Sequence, residues 1–528
     1  MRFLLAAISL AIAVPAQAQE WQRAETNNFI IISQDSEDAT RRFAANLERF
    51  DMALRNLQGL PVGEEQPTDA TKLTVFRFGD PNDIARAAQI PGIAGVYFGR
   101  AGESLALTPA REERRRSNSV TNVDRSRAER TDMDVVSVLQ HEYVHYFMMQ
   151  HFPAAYPRWY VEGYAELLAS LRLNDDGSFH VGDPPQYRGD ALYYMTEFGL
   201  EEMLDQEHDL TGKEAFQHYT TGWLFTHYLN FDPERLAQLN QYLLAINAGE
   251  DSLTAARRIF GDLGAIDREL RRYRSGSLPG FDVRPAGYVE PAVEMTRIAG
   301  SRVDLMTSEI RLTRGVDKPG AEAIARSLIS YAAEHPADTH ALALLANAQV
   351  YAEQYAAAQA TAERLIALDP QNINGPLMAS YAASERAWDE PALAERAIAF
   401  AEQANNIDLL DPRPKIAYYY ANLVAGGDIP EDAAIVLESA FDTAGSDASY
   451  RILLGRQLLF ENRLPAARSV LQPIAFRGHN QGDPSEDEDE ESAGEPSLDK
   501  IMAFIEQDNR DAALTMMDAL VKDEDDEA

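Results

Sequence analysis

The sequence predicts an α+β N-terminal region that leads into a mainly helical domain, followed by an all-α array of helix pairs. Two segments rich in β-branched and aromatic residues, Asn28–Ser33 and Lys72–Phe78, are typical of strands, and Glu37–Leu57 between them has helical periodicity. Beyond about residue 300, alanine-rich helical segments follow one another. The length of 528 residues is enough for about three domains.

The first 18 residues have the pattern of a cleaved signal peptide. Arg2 precedes the apolar run Phe3–Val14, and Ala16-Gln17-Ala18 is typical of a cleavage site. The run is short for a membrane span, and no other long apolar segment follows. We therefore predict a secreted or periplasmic bacterial protein without a transmembrane segment after signal removal. The absence of cysteine excludes disulfides and thiolate metal ligands.

Residues 19–130 are predicted to form a mixed α/β subdomain that ends in an arginine-rich segment. Arg111–Arg130 contains seven arginines, with serine and asparagine but no aromatic residue. This composition indicates an exposed loop, and a lid that gates a cleft is the alternative.

A metal-binding motif begins the helical domain predicted for residues 131–275. His141 and His145 are four residues apart in an H-E-x-x-H sequence, and the preceding segment Asp132–Gln140 favours a helix. On a helix, the two imidazoles share one face and can bind the same Zn²⁺. Glu142 is then suited to take a proton from a water molecule at the metal.

Two further glutamates follow at a helical spacing. Glu162 lies 17 residues after His145, and Glu166 lies one turn later. We predict that Glu162 is the third ligand of one zinc ion, and that Glu166 accepts a hydrogen bond from a ligand imidazole. The alternative is that both are solvated carboxylates on an amphipathic helix, and Glu166 is the other candidate for the third ligand.

The motif H-E-x-x-H followed by W-x-x-E-G-x-A, here Trp159–Ala165, resembles the gluzincin metallopeptidases, especially their aminopeptidase-N-like branch. The resemblance implies a zinc peptidase in which Glu162 is the third ligand and Glu166 orients a ligand histidine. The segment that begins at Tyr219 is similar to the Y-x-x-G helix of this family. By that similarity, Tyr219 stabilises the oxyanion of the tetrahedral intermediate. A core aromatic is the alternative role for Tyr219, and His218 is the competing electrophile.

The chain also departs from the gluzincin pattern. No G-x-M-E-N-like segment precedes the zinc motif, so the family's anchor for a free α-amine is missing, and exopeptidase specificity does not carry over. The glycine-containing segment Pro91–Phe98 is a candidate edge strand for substrate. The resemblance covers about residues 130–235.

After a linker predicted at residues 276–300, we expect an all-α solenoid over residues 301–478. Five residues fall at offsets similar to those of a tetratricopeptide repeat: Leu342, Leu345, Ala346, Ala358 and Pro370. Such a solenoid offers a surface for recruiting a peptide or a partner protein, and a packing appendage is the alternative.

The net charge of −36 argues against a nucleic acid partner, because phosphates would be repelled. Residues 479–497 contain the acidic run Glu486–Glu491 and are predicted to be a disordered spacer, with weak Ca²⁺ binding as the alternative. Residues 498–522 read as an amphipathic helical segment.

Two functions are consistent with these patterns. The first is a secreted zinc metallopeptidase that cleaves peptide bonds with Glu142 as general base, while the repeats recruit a protein substrate or partner. The second is a repeat-based binding scaffold that retains a catalytically weak or inactive peptidase fold.

Overall fold

The structure is a computed structural model that describes residues 21–63, 67–79, 81–90, 95–110, 135–185, 198–205, 212–426, 428–475 and 496–527. A mixed β-sheet near the N-terminus is followed by a long succession of helices. The predicted α+β region with helices after it is therefore confirmed at this level. Several predicted segments lie outside the described residues: the signal peptide 1–18, the arginine-rich segment 111–130, and nearly all of the acidic segment 479–497.

Among the described residues, nine strands form two sheets. They are β1 (Trp21–Glu25), β2 (Phe29–Ser33), β3 (Leu73–Phe78), β4 (Val96–Phe98), β5 (Leu105–Pro109), β6 (Arg172–Leu173), β7 (Phe179–Val181), β8 (Phe281–Val283) and β9 (Glu294–Ile298). The larger sheet has the order β4-β5-β3-β2-β1-β9, and the smaller has the order β6-β7-β8. The pairs β2–β3 and β3–β5 are parallel, whereas β4 and β9 pair antiparallel at the two edges.

The helix between the two predicted strands crosses over the sheet as the parallel pairing requires. This helix, α1 (Glu37–Gln58), begins where the Ser36 side chain accepts a hydrogen bond from the Ala39 amide. It ends at Gly59, whose φ of 68° is the left-handed conformation that favours glycine. Its apolar face is buried against the sheet, together with the metal-motif helix, in one core.

Residues 276–300, predicted as a linker, contain two strands. β8 joins the smaller sheet, and β9 completes the larger sheet by pairing with β1, with Ile298 opposite Trp21. Strand β9 is short and polar on most of its surface, so its sequence carries no strong strand pattern. Its pairing depends on the strand edge that β1 leaves open.

The helices before the array include the one that carries the motif for a metal site. They are α2 (Pro81–Ala88), α3 (Val135–His151), α4 (Arg158–Ala169), α5 (Leu200–Leu204), α6 (Gly212–Asn230), α7 (Pro233–Asn247), α8 (Ser252–Phe260) and α9 (Leu263–Ser275). Short 3₁₀ turns occur at Asp69–Thr71 and Pro391–Leu393 in the described part of the chain. None of the helices in the described ranges is long and apolar enough to cross a membrane.

The remaining helices form the C-terminal array. They are α10 (Ser301–Asp304), α11 (Met306–Arg314), α12 (Lys318–Glu334), α13 (Thr339–Tyr351), α14 (Tyr355–Leu368), α15 (Asn374–Ala387), α16 (Ala394–Asn405), α17 (Arg413–Val424), α18 (Glu431–Ser439), α19 (Phe441–Ala444), α20 (Ala448–Phe460), α21 (Leu464–Ala475), α22 (Leu498–Glu506) and α23 (Arg510–Glu527). Consecutive helices pack against each other, and small buried alanines fill most of the contacts between them.

Helix pairs recur along this array at nearly constant spacing. The first helices α13, α15, α17 and α20 begin at Thr339, Asn374, Arg413 and Ala448, which are 35, 39 and 35 residues apart. Each pair buries its apolar face mainly against its neighbours, as in repeat proteins.

The array also contacts the N-terminal region, through the loop between β4 and β5. This docking loop, Gly99–Ser104, lies across the N-terminal ends of α15, α17 and α20. Arg413 at the start of α17 forms an ion pair with Glu103 and hydrogen-bonds Asn374 at 3.5 Å. The Ala101 amide donates to Asp447, the N-cap residue of α20, at 2.8 Å. The array and the sheet therefore form one connected structure.

Close packing holds the docking loop in place. At Gly102, where φ is 74°, an added Cβ would lie 2.8 Å from the Asp411 carboxylate and 2.9 Å from Nε of Arg413. At Gly99, an added Cβ would lie 2.8 Å from the Ser446 carbonyl oxygen. Both glycines are therefore required by the contact with the array.

Candidate metal centre

The motif helix α3 is anchored by a buried polar network. The Tyr143 hydroxyl donates to Asp51 on α1 at 2.7 Å, and Asp51 also accepts from Nδ2 of Asn28 at 2.9 Å and from Nε of Arg55 at 2.8 Å. Asp51 is wholly buried, so its charge is balanced by Arg55 within the core. This network fixes α3 against α1 and the start of β2.

Helices α4 and α6 approach each other unusually closely because two glycines face each other. A Cβ at Gly163 would lie 2.4 Å from the Gly222 carbonyl oxygen, and a Cβ at Gly222 would lie 2.8 Å from the Trp159 carbonyl oxygen. Only glycine permits this crossing without a shift of backbone. Since Glu162 precedes Gly163, and Tyr219 lies one turn before Gly222, the crossing brings both side chains into the region of α3.

The three predicted ligands lie together. Nε2 of His141 is 3.1 Å from Oε2 of Glu162 and 3.1 Å from Nε2 of His145, and Nε2 of His145 is 3.7 Å from Oε2 of Glu162. The imidazole rings of His141 and His145 are nearly perpendicular, with centroids 4.7 Å apart. Each residue therefore offers one donor atom to a common point, and the group could hold a metal ion.

The size of this triangle fits a tetrahedral ion. Zinc binds imidazole nitrogen and carboxylate oxygen at about 2.0–2.2 Å, so two ligand atoms on a tetrahedral zinc lie about 3.4 Å apart. The three observed separations lie on both sides of that value. Two neutral imidazoles and one carboxylate are also a donor set that suits zinc and leaves a fourth position for water or substrate.

Charge in the cluster favours a cation as well. Glu162 is wholly buried and His141 is 5% exposed. Burial lowers the pKa of His141, but the hydrogen bond and charge of Glu162, with the charges of Glu166 and Glu142, raise it to about 9. A buried carboxylate at this position needs a positive charge beside it, which is either a proton on His141 or a metal ion.

Glu166 lies on the opposite side of the His141 ring. Its Oε1 is 3.9 Å from Nδ1 of His141, and the residue is wholly buried. The distance is too long for a hydrogen bond, but the carboxylate faces the ring nitrogen that is not part of the triangle. Glu166 therefore lies beside His141 without the predicted hydrogen bond. Glu162, and not Glu166, belongs to the group of three that could hold a metal ion.

Glu142 and Tyr219 both lie near the cluster. Glu142 is half-buried, directly follows His141, and adds to the negative charge acting on its imidazole. The Tyr219 ring centroid is 6.3 Å from that of His141 and 6.4 Å from that of His218. Tyr219 is half-buried, so the ring is accessible beside the cluster.

His218, the alternative electrophile, is buried next to Tyr219. Burial and, to a smaller extent, the charge of Arg158 lower its pKa to about 4, against the opposing effect of Glu162. The imidazole is therefore neutral at pH 7 and offers no cation for charge stabilisation.

An edge strand lies alongside the motif helix. β4 pairs only with β5 among the described strands, so its other side is an open strand edge. The Tyr97 ring is 5.6 Å from that of Tyr146 on α3, and a Cβ at Gly95 would be 3.0 Å from Val138. The candidate edge strand predicted over residues 91–98 is observed from Val96 onward, and residues 91–94 lie outside the described residues.

Some residues that build the centre were missed by sequence reasoning. The Tyr143–Asp51 network joins residues 92 apart in the sequence and has no local pattern. Gly163 and Gly222 each belong to one of the two glycine-containing motifs of the sequence. The motifs do not show that the two glycines face each other across a helix crossing. Arg158, one turn before Glu162, has no motif that predicts a role for it.

Comparison with known proteins identifies no relative: no family model matches the sequence, and no curated protein matches it. The assignment of a metal site therefore depends on the ligand geometry itself.

Proposed function

We propose that this protein is a zinc-dependent metallopeptidase of the gluzincin type that hydrolyses peptide bonds. The observation that carries the proposal is the triangle of His141, His145 and Glu162, whose donor atoms lie 3.1–3.7 Å apart. An edge strand, a carboxylate and a tyrosine lie around this triangle. An extended peptide can add to an open strand edge through main-chain hydrogen bonds.

The residues of the chain would divide the chemistry as follows. His141, His145 and Glu162 hold the ion, and a zinc ion bound there supplies a Lewis acid that lowers the pKa of water and polarises a carbonyl group. Glu142 accepts the proton of the attacking water at its carboxylate and then donates it to the leaving amine. The Tyr219 hydroxyl donates a hydrogen bond to the oxygen that becomes negative.

In this proposal the array assists the peptidase by binding a substrate or partner, and the chain is not merely a binding scaffold. Its helix spacing of 35–39 residues favours a tetratricopeptide-like solenoid that recruits a peptide or protein. Its contact with the docking loop joins it to the edge strand β4. The predicted signal peptide is consistent with a secreted or periplasmic peptidase.

The test is metal content and hydrolysis measured on the same preparations. The full chain, purified without chelator or a histidine tag, is compared with Glu142→Gln and His145→Ala by plasma mass spectrometry and by cleavage of a fluorogenic peptide library. We expect about one zinc per chain in the first two proteins and none in His145→Ala. Turnover in Glu142→Gln should be lower than in the unmodified chain by about 10²–10⁴-fold. His145→Ala, without zinc, should not hydrolyse peptides.

Two outcomes would contradict the proposal. Full hydrolysis by Glu142→Gln would remove this residue from the reaction. A chain that takes up no zinc after resupply would overturn the enzyme and leave a binding scaffold.

A further inference from the structure

Arg158 is the first residue of α4 and lies on the face that carries the metal ligand. It precedes Glu162 by one helical turn and Glu166 by two turns, so the three side chains form a row. Side chains on a helix lean towards its N-terminus, which tilts the Glu162 carboxylate towards the turn of Arg158. The guanidinium therefore lies at the end of the site from which α4 begins.

Arg158 has an unsatisfied donor. Its Nε is buried and has no hydrogen-bond partner. Within the part of the chain that the structure describes, no carboxylate forms an ion pair with it. This is unusual in a chain with 84 acidic and 48 basic residues. By contrast, Arg55 is buried and pairs with Asp51. Arg77 also has a buried Nε without a hydrogen-bond partner, but it forms an ion pair with Asp35, and Arg158 has no such pair among the described residues. A buried donor without a partner is costly, so a ligand that accepts from Arg158 is favoured.

The charge of Arg158 acts on the wall of the same site. Arg158 and Glu162 are the two charged residues that influence His218, and His218 is next to Tyr219. The Phe198 ring covers His218 on another side, with centroids 6.2 Å apart. A neutral imidazole and an aromatic ring supply no negative charge to Arg158. Glu162 is the nearby negative charge, one turn along the same helix, but it forms no ion pair with Arg158 among the described residues.

We propose that Arg158 binds a carboxylate of the substrate, so that this site prefers peptides with a carboxylate near the bond that is cleaved. The inference rests on the proposed peptidase function and adds its substrate class. A guanidinium presents paired donors that match the two oxygens of a carboxylate, and a partly buried pair of this kind is strong. The carboxylate belongs either to the peptide's C-terminus or to an aspartate or glutamate side chain.

The test uses peptide hydroxamates, which bind zinc and are not hydrolysed. Three ligands share one short peptide: the first has a free C-terminal carboxylate, the second a C-terminal carboxamide, and the third a carboxamide with an aspartate side chain. Calorimetry measures their affinity for the zinc-loaded full chain, for Arg158→Gln and for Arg158→Lys. Arg257→Gln is the matched control, because Arg257 is 57% exposed and pairs with Glu201 on the surface.

We expect the unmodified chain and the control to bind one of the two carboxylate ligands roughly 10- to 100-fold more tightly than the plain carboxamide. The preference should disappear in Arg158→Gln and be reduced in Arg158→Lys, which keeps the charge without the paired donors. The carboxamide should bind all four zinc-loaded proteins alike. Which carboxylate ligand is favoured identifies the source.

Other outcomes overturn the inference. Zinc-dependent binding without any preference for a carboxylate, or a preference that persists in Arg158→Gln, would remove Arg158 from substrate binding and leave the peptidase proposal intact. Failure of the full chain to take up zinc, or to bind any hydroxamate, would overturn both.

Discussion

Glu162 approaches both imidazoles of the triangle through a single oxygen, so the proposed metal site should depend on it more than on any other carboxylate. We expect Glu162→Ala to lose zinc, because two histidines alone form a weak site. Glu166→Ala is the comparison, since Glu166 is equally buried but lies outside the triangle. Zinc affinity there should fall only about 10- to 100-fold. Titration with a competing chelator measures both.

Equal affinity in Glu162→Ala and the unmodified chain would contradict this assignment. If Glu166→Ala lost more zinc than Glu162→Ala, the two carboxylates would have to exchange roles, with Glu166 as the ligand.

Tyr219 is expected to act on the reaction without holding the metal. Its ring is 6.3 Å from that of His141, which is compatible with a hydroxyl near the reacting carbonyl. Tyr219→Phe should leave zinc content unchanged and lower kcat by about 10²–10³-fold, as for loss of one oxyanion donor. Steady-state kinetics with metal analysis tests this. Unchanged turnover would leave Tyr219 a packing residue.

That His141, His145 and Glu162 lie together could be predicted from the sequence because their spacing is local. His141 and His145 are one turn apart on a helix that forms as predicted, and Glu162 follows in a motif of its own. The orientation of Glu166 could not be predicted, because whether its carboxylate reaches His141 depends on the position of α4 relative to α3. The unsatisfied Nε of Arg158 is likewise a property of the packed structure.

At the scale of elements, the crossing of α4 and α6 decides where Glu162 lies. Gly163→Ala would place a Cβ 2.4 Å from the Gly222 carbonyl oxygen, so the two helices must move apart. We expect a loss of about 1–3 kcal/mol in the free energy of unfolding, together with weaker zinc binding. Chemical denaturation of the metal-free chain and zinc titration measure the two effects.

Gly199→Ala is the matched control for this variant. Gly199 is the N-cap of α5 with a φ of −77°, and the nearest atom to an added Cβ is 3.6 Å away. Its stability should change by less than about 1 kcal/mol and its zinc affinity should not change. If Gly163→Ala behaved like this control, the close crossing would not be what positions Glu162.

Elements with a strong pattern of their own were predictable, and elements defined by a partner were not. β2, β3 and α1 appear within a residue or two of their predicted bounds because their apolar residues recur at the right period. β9 was not predicted, since its five residues become a strand only by pairing with β1. Within the predicted solenoid, the helical segment that begins at Glu431 is broken at Ala440 into α18 and α19.

At the scale of the whole molecule, the docking loop connects the array to the edge strand beside the metal site. Arg413 holds this contact, with Glu103, Asp411 and Asn374 as its partners. Arg413→Ala leaves two carboxylates without their cation, and we expect a loss of roughly 1–3 kcal/mol. Amide hydrogen exchange should become faster in Gly99–Ser104 and in β4, while zinc content should stay the same.

Arg396→Ala is the control on the same array. Arg396 pairs with Glu363 at an exposed position, so its removal should change stability by less than about 0.5 kcal/mol and leave exchange in the loop unaltered. Unchanged exchange of β4 in Arg413→Ala would show that the array does not constrain the edge strand.

The contact between the array and the docking loop joins two segments that are synthesised at different times. Asp447 is 346 residues beyond the Ala101 amide that it accepts from. At about 5–20 residues per second, a ribosome needs roughly 20–70 s to make that stretch. For all of that interval the docking loop is made but has no array to bind it. The residues that hold Gly99–Ser104 in place therefore exist only after most of the chain has been synthesised.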